Sequence, residues 1–142
     1  MKKVLIVNAN YYKNITSNLL ILAKKELIKN KIKVYTINVP GVYEIPVTIS
    51  RYLNKFDGFI ALACVIKGET PHFNFICKST FDSILQLSVN SKKPIGNGII
   101  TSLNMKQAIN RSLVKKNSKK SNKGLEGAKA VVEILKNEPK KY

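Results

Sequence analysis

A chain of 142 residues that is 44% hydrophobic can bury one sizeable core but is too short for two independent ones. No apolar run approaches the roughly 20 residues of a membrane-spanning helix, and Asn8 and Asn10 interrupt the first apolar stretch too early for a signal peptide. The composition therefore predicts a single cytoplasmic globular domain over residues 1–142, and it excludes a disordered or membrane-embedded protein.

The formal net charge of +17 raises nucleic acid as a partner. However, Arg51 and Arg111 are the only arginines, whereas proteins that read nucleic acids rely on arginine and interleaved aromatic side chains. Neither residue type clusters along the sequence. The abundance of lysine, isoleucine and asparagine is what an AT-rich genome produces. We therefore expect no nucleic-acid partner, although the charge favours the approach of anionic substrates.

The two cysteines, Cys64 and Cys77, form no CxxC pair, and their spacing with His72 fits no zinc-site pattern. Both lie in apolar surroundings. We expect buried thiols and no bound metal.

Short apolar strands alternate with longer amphipathic segments along the first half of the chain. The apolar run at 3–8 predicts a first strand, and the apolar stripe at 15–30 predicts a first helix. Residues 32–39 predict a second strand, which a Pro-Gly pair terminates. A second helix is predicted to start at about Ile45.

The second half continues the alternation. Residues 57–64 predict a third strand that is nearly all apolar and therefore central. Pro71 suits the first turn of a long helix. Residues 94–101 predict a fourth strand, and Ser102 is the expected N-cap of a helix that runs through Leu113.

A polar, basic connection at 115–124 precedes a last helix, whose apolar stripe runs from Leu125 to Leu135. Alternating strands and helices predict an α/β protein, in which helices cover both faces of a parallel sheet. Ligands of such sheets bind beyond the carboxyl ends of the strands. The segments that follow the four predicted strands should therefore form a site at one edge of the sheet.

The segment VIKGETPHFNF at 65–75 carries the strongest chemical signal. Gly68, Glu69 and Thr70 precede a predicted helix, whose free N–H groups and dipole favour an anion such as phosphate. The alternative is an ordinary helix cap at Thr70. His72, the only histidine, is predicted to project away from the core towards the strand ends, where it could carry protons near neutral pH. A structural histidine is the alternative.

Five further residues stand near predicted strand ends or on a basic helix. Tyr11 and Tyr12, which follow the first predicted strand and are expected to be exposed, and Tyr43 offer flat rings to a planar heterocycle. Glu44 is an acid in an apolar stretch and needs a polar partner, such as a polyol or an amine, unless it is simply a helix-start acid. Arg111 is suited to bidentate phosphate binding, and a solvated surface arginine is the alternative.

The segments VPGVYEIP, VIKGETPHF and PIGNGIIT, followed by QAINR and NKG, resemble the lumazine synthase family over about residues 4–135. The resemblance implies a flavodoxin-like, doubly wound three-layer fold with a four-stranded parallel sheet. It also implies active sites between neighbouring subunits of a pentamer. The implied transferase reaction condenses 5-amino-6-(D-ribitylamino)uracil with 3,4-dihydroxy-2-butanone 4-phosphate to 6,7-dimethyl-8-ribityllumazine, and it requires no metal or redox cofactor.

Carried over position by position, the resemblance implies that His72 is the catalytic proton carrier and that Tyr11 stacks on the pyrimidinedione ring. The implied pyrimidine- and ribityl-binding residues are Tyr11, Tyr43, Glu44, Ile45, Val65, Ile66, Lys67 and Asn97. The implied phosphate-binding residues are Gly68, Glu69, Thr70, Arg111 and Lys123. Arg111 is expected to reach the phosphate bound by a neighbouring subunit. Asn97 stands where some relatives carry an aromatic residue, so this contact becomes polar.

Two features of the chain favour a simple pentamer over an icosahedral shell. The connection after Arg111 is long, and the first predicted strand stands at the very start of the sequence. Two other functions stay open. A non-catalytic lumazine or flavin carrier would need the stacking residues but not His72 or Arg111. A nucleic-acid-binding module would show binding that falls steeply with salt.

Overall fold

The computed structural model describes residues 1–115 and 121–142. The four strands are β1 (Lys3–Ala9), β2 (Lys33–Val39), β3 (Gly58–Ile66) and β4 (Ile95–Ser102). The five α-helices of the described ranges are α1 (Lys13–Lys29), α2 (Ile45–Tyr52), α3 (His72–Ser91), α4 (Met105–Asn110) and α5 (Lys123–Lys136). A single 3₁₀ turn, Val42–Glu44, leads into α2.

The strands form one parallel sheet in the order β2-β1-β3-β4. In the register, Val4 of β1 lies beside Val34 of β2 on one side and beside Gly58 of β3 on the other. The two central strands are almost wholly buried, whereas β2 is exposed along most of its length. This arrangement confirms the predicted four-stranded parallel sheet and its central third strand.

Side chains alternate between the two faces of the sheet and build a core on each. Val4 and Ile6 pack with Leu19 of α1 and Ala128 of α5. The intervening residues pack on the opposite face with α2 and α3, where Ile49 contributes to the second core. Helices therefore cover both faces, which confirms the three-layer α/β/α architecture.

Glycines let α5 approach β4 and α1 at backbone distance. A Cβ atom at Gly96 of β4 would lie 2.2 Å from the carbonyl oxygen of Gly127 in α5. A Cβ atom at Gly124 would lie 2.3 Å from the carbonyl oxygen of Leu19 in α1. These contacts fix the position of the first turn of α5, and with it Lys123.

Aromatic rings and cations cluster towards the amino edge of the sheet. The ring of Phe56 lies edge-on to those of Tyr35 and Tyr52, with centroids 5.3 and 6.3 Å away. Lys3 lies over the ring of Phe56, and Arg51 lies over the ring of Tyr52. Part of the high positive charge is thus packed on aromatic faces.

Ser102 is the last residue of β4, so the prediction that it caps α4 was wrong. Asn104 is the N-cap, since its side-chain oxygen accepts a hydrogen bond from the backbone N–H of Gln107 at 2.9 Å. The Gln107 side chain in turn accepts from the backbone N–H of Leu103 at 2.8 Å. This reciprocal pairing satisfies two backbone N–H groups. The helix therefore begins after Asn104 and not after Ser102.

The prediction that α4 extends through Leu113 was also wrong, because the helix ends at Asn110. The carbonyl of Arg111 accepts a hydrogen bond from the backbone N–H of Lys123 at 2.9 Å. That carbonyl is thus taken by α5 instead of by a further helical turn. Residues 116–120, which belong to the predicted basic connection, lie outside the described residues. The connection is shorter at its far end than predicted, since α5 begins at Lys123.

Other helix and strand boundaries differ from the predicted ones by about two residues. The first helix begins at Lys13, and β3 continues to Ile66. Of the two thiols, Cys64 is buried as predicted, whereas Cys77 is only half-buried because it lies on the side of α3. No helix of the described ranges is long and apolar enough to cross a bilayer.

Candidate functional site

A cavity of about 620 Å³ lies at the carboxyl ends of β1 and β3, beside the segment that follows β2 and the first turns of α3. Five of the predicted site residues line it: Tyr11, Tyr43, Val65, Ile66 and His72. Ligand sites are expected at this edge of a parallel sheet, and the volume is in the range of small-molecule pockets.

Two tyrosines give the cavity exposed rings. Tyr11 and Tyr43 are 75% and 73% exposed, and both line the same cavity. Tyr11 lies directly after β1, and Tyr43 lies in the 3₁₀ turn after β2. A planar heterocycle could stack on either ring, while Val65 and Ile66 of β3 supply an apolar wall.

His72 is the first residue of α3 and is exposed to the cavity. Pro71 occupies the N-cap position, and no side chain caps the helix in the usual way. The backbone N–H of His72 donates to the hydroxyl of Thr70 at 3.5 Å, which is long for a hydrogen bond. The first turn of α3 is therefore weakly capped, and an anion could complete it.

The segment between β3 and α3 is exposed over residues 67–70. The backbone N–H of Lys67 donates to the carbonyl of Ser102 at 2.9 Å, which ties the start of this segment to β4. A Cβ atom at Gly68 would meet nothing within 4 Å, so there is open space beside the backbone. Gly68, Glu69 and Thr70 thus border the cavity without lining it.

Glu44 and Ile45 are not among the residues that line this cavity. Ile45 is fully buried in the core beneath α2. Glu44 lines an adjoining groove between α2 and α3, and Tyr43 and Ser79 line both this groove and the cavity. The Glu44 carbonyl accepts a hydrogen bond from Thr48 at 2.8 Å. Ligand binding by Glu44 and Ile45 therefore stays a prediction, since neither side chain lines the cavity of His72.

The remaining predicted residues, Asn97, Arg111 and Lys123, line a second cavity of about 410 Å³ beside β4. The backbone hydrogen bond from Lys123 to Arg111 brings the two cations together from different helices. The guanidinium of Arg111 also donates to the carbonyl of Gln107 at 3.2 Å, which holds it at the end of α4. None of these three residues lines the cavity of His72.

Seven residues that line the first cavity were not among the predicted site residues: Tyr12, Gly41, Val42, Cys64, Phe75, Ile76 and Ser79. Three of them, Phe75, Ile76 and Ser79, lie on α3. They follow His72 at the i+3, i+4 and i+7 positions, so they share one face of the helix with it. This spacing is the sequence signal that could have revealed them.

Tyr12, which was expected to be an exposed ring like Tyr11, is instead half-buried, and it lines the cavity beside Cys64. Its ring meets that of Tyr11 edge to face, with centroids 4.9 Å apart and an interplanar angle of 82°. Burial, followed by the nearby Tyr11 and Cys64 side chains, raises the pKa of Tyr12. Burial also raises the pKa of the Cys64 thiol to about 11. Both groups are therefore neutral near pH 7.

Among the described residues, no three His, Cys, Asp or Glu side chains are grouped as metal ligands would be. The chemistry that the first cavity offers is aromatic stacking, apolar contact and proton transfer by a single imidazole. The second cavity offers two cations. The fold and its two cavities define a doubly wound α/β protein of the kind that binds small molecules at the strand ends.

The sequence model of the 6,7-dimethyl-8-ribityllumazine synthase family matches residues 1–138, and the chain belongs to this family. This confirms the resemblance found in the sequence motifs.

Relatives named 6,7-dimethyl-8-ribityllumazine synthase support the assignment. The protein from Vesicomyosocius okutanii is 36% identical over 144 residues, which covers 94% of this chain and 84% of the relative. The protein from Buchnera aphidicola is 37% identical over 138 residues, with coverage of 93% and 84%. The protein from Bartonella tribocorum is 42% identical over 112 residues, with coverage of 77% and 74%.

Proposed function

We propose that this protein condenses 5-amino-6-(D-ribitylamino)uracil with 3,4-dihydroxy-2-butanone 4-phosphate. The products are 6,7-dimethyl-8-ribityllumazine, phosphate and water, and the reaction is the penultimate step of riboflavin biosynthesis. The observation that carries the proposal is the cavity in which His72 and the rings of Tyr11 and Tyr43 meet, in a chain that belongs to the lumazine synthase family.

In the proposed reaction, an amine of the pyrimidine attacks the ketone carbon, and water leaves as the Schiff base forms. Phosphate is then eliminated, and the second nitrogen closes the ring with loss of a second water. His72 accepts the proton that the attacking nitrogen gives up and returns it to the leaving hydroxyl group. These steps need proton transfers and aligned reactants but no redox change, so holding both reactants side by side supplies much of the acceleration.

The proposed position of the pyrimidine follows from the shape and polarity of the first cavity. The heterocycle stacks on Tyr11, where an exposed ring offers a flat apolar face. The four-carbon phosphate lies closer to residues 68–70 at the start of α3, because the weakly capped helix favours an anion there.

We further propose that the complete site is shared between two subunits of a homopentamer, in which each single-domain subunit spans residues 1–142. Arg111 and Lys123 line a different cavity from His72, so one chain does not bring the phosphate-binding cations to the proton carrier. A neighbouring copy could supply them. The exposed apolar side chains of α3, which include Phe75, Leu85 and Val89, also need a cover that a second copy would provide.

The pentamer itself comes from the family resemblance, and an icosahedral shell is the less favoured assembly. We place the reaction in the cytoplasm, in keeping with the free thiols of Cys64 and Cys77.

Turnover is the first test of the proposed activity. Both substrates are mixed with the protein, and the fluorescent lumazine and the released phosphate are followed over time. We expect His72→Ala to lower kcat by roughly a hundredfold. We expect Arg111→Ala to raise the KM of the phosphorylated substrate by roughly tenfold or more. Arg51→Ala, which removes the chain's other arginine from α2, is the matched control and should change neither constant.

Each result of this assay has a definite meaning. Tight lumazine binding without turnover would replace the enzyme with a carrier of the same fold. The absence of both binding and product would refute the proposed function.

Subunit complementation tests the shared site. His72→Ala and Arg111→Ala are each weakly active alone, but a mixture that is unfolded and refolded together contains some sites with both residues intact. Random mixing at equal amounts restores about one quarter of the sites, because each subunit contributes independently. If activity does not recover in the mixture, both residues act within one chain.

A further inference from the structure

The cavity that contains Arg111 and Lys123 also contains a carboxylate. Glu126 is the only acid among the described residues that line this cavity. Its Oε2 atom lies 3.2 Å from Nζ of Lys123, and the two residues stand three apart in the first turn of α5. Their side chains are 46% and 29% exposed, so a ligand that enters the cavity can reach the ion pair.

We propose that Glu126 is a built-in competitor for the anion site, which occupies Lys123 until a phosphate group displaces it. This inference rests on the proposed function, because it assigns Lys123 to phosphate. An exposed ion pair is weak, since water and salt screen it and two flexible side chains must be ordered. A phosphate group carries more negative charge than a carboxylate and can also bind Arg111, so it is the stronger partner for the two cations.

The position of Glu126 lowers the free-energy cost of exchanging it for phosphate as the partner of Lys123. A carboxylate in the first turn of a helix interacts favourably with the free N–H groups and the helix dipole. When Lys123 turns towards phosphate, Glu126 keeps this stabilisation. However, the phosphate group must displace the carboxylate from Lys123 each time it binds, which weakens its binding. Glu126 therefore limits how tightly the site holds the phosphate group, and it favours release of the phosphate that the reaction forms.

The substitution Glu126→Gln removes the charge and keeps nearly the same shape. It therefore tests whether Glu126 competes for Lys123 or instead holds Lys123 in the binding position. In Glu126→Gln the competing charge is gone, so Lys123 is free for the ligand at all times. The inhibition constant of inorganic phosphate and the KM of the phosphorylated substrate should both fall about two- to fivefold, and the KM of the pyrimidine should not change. If Glu126 instead holds Lys123 in the binding position, the same variant would raise both constants.

The chain offers a matched control pair on another helix. Lys78 and Asp82 of α3 form an exposed ion pair at 2.7 Å, and neither residue lines the cavity. Asp82→Asn removes the same charge from the same kind of pair and should leave all three constants unchanged. A similar fall in Asp82→Asn would assign the effect to net charge alone and overturn the inference.

A double substitution and a direct binding measurement complete the test. In a Lys123→Ala background, Glu126→Gln should lose most of its effect, since the carboxylate has no cation to occupy. Titration of inorganic phosphate, followed by calorimetry, needs no turnover. It therefore decides the role of Glu126 even if the protein makes no lumazine. Unchanged or weaker phosphate binding in Glu126→Gln, or no phosphate binding by either protein, would refute the inference.

Discussion

The rings of Tyr11 and Tyr12 pack edge to face, with centroids 4.9 Å apart and planes inclined by 82°. Tyr11 is the ring on which the pyrimidine is proposed to stack, and it is largely exposed. Tyr12 is half-buried at the start of α1, where its carbonyl accepts hydrogen bonds from the N–H groups of Ile15 and Thr16. The buried ring therefore restricts the orientations of the exposed one.

Substitutions of Tyr12 should separate ring packing from the hydroxyl group. An edge-to-face pair contributes about 0.5–1.5 kcal/mol beyond the area that it buries. We expect Tyr12→Leu to weaken lumazine binding about three- to tenfold, because Tyr11 then samples more orientations. Tyr12→Phe keeps the ring pair and should bind nearly as the unmodified protein does. Fluorescence titration of lumazine measures its dissociation constant for both variants. Equal losses in the two variants would assign the effect to the hydroxyl.

Gly124 should not tolerate a side chain. An added Cβ atom would lie 2.3 Å from the carbonyl oxygen of Leu19, and neither backbone can move without separating α5 from α1. We expect Gly124→Ala to lower the free energy of unfolding by about 2–3 kcal/mol, as overpacking does elsewhere. Urea denaturation measures it. Gly68→Ala is the control, since a Cβ atom there meets nothing within 4 Å, and its unfolding free energy should change by less than about 0.5 kcal/mol.

Asn122 should prove important for both stability and anion binding. Its side-chain oxygen accepts from the N–H of Leu125 and caps α5, and its amide donates to the carbonyls of Asn18 and Leu113. Because Asn122 is buried, Asn122→Ala loses the cap and leaves buried polar groups unpaired. We expect a loss of about 2 kcal/mol in unfolding free energy.

The comparison variant for this position is Asn122→Asp, which keeps the acceptor but removes the two donated hydrogen bonds. Because the buried carboxylate then faces the carbonyl oxygens of Asn18 and Leu113, this variant should lose at least as much stability at neutral pH as Asn122→Ala. Phosphate affinity should fall in Asn122→Ala as well, because Lys123 follows directly in the chain. A variant with unchanged stability would show that the cap contributes nothing.

The buried thiol of Cys64 should make stability depend on pH in the alkaline range. Burial raises its pKa from the ordinary value of 9.0 to about 11. Below pH 9 the thiol is protonated in both the folded and the unfolded chain, so its full contribution is present. Between about pH 9 and 11 the unfolded chain gives up the proton first, and stability falls by about 2–3 kcal/mol.

Urea denaturation of the unmodified protein and of Cys64→Ala, at several pH values from 8 to 11, measures this contribution. Other groups titrate in the same range, so the difference between the two proteins is the relevant quantity. We expect that difference to shrink as the pH rises from about 9 to 11. A difference that stays constant would place the Cys64 thiol in contact with water.

The sequence by itself determined the order and type of the elements, because strand and helix periodicities are set by residues only a few positions apart. Alternation of the two types then implied a parallel sheet, and the carboxyl-edge rule placed Tyr11, Tyr43 and His72 near one another. The motifs around His72 were also sufficient to show the family. All of these signals are local or follow from general rules of connection.

Only the tertiary structure decided which side chains meet. Tyr12 faces the cavity because α1 starts earlier than its apolar stripe, and Ile45 turns into the core because α2 packs there. Arg111 and Lys123 come together through a backbone hydrogen bond between the end of α4 and the start of α5, in a cavity that His72 does not line. Contacts between residues far apart in the chain depend on the packing of whole elements, which no short stretch of sequence encodes.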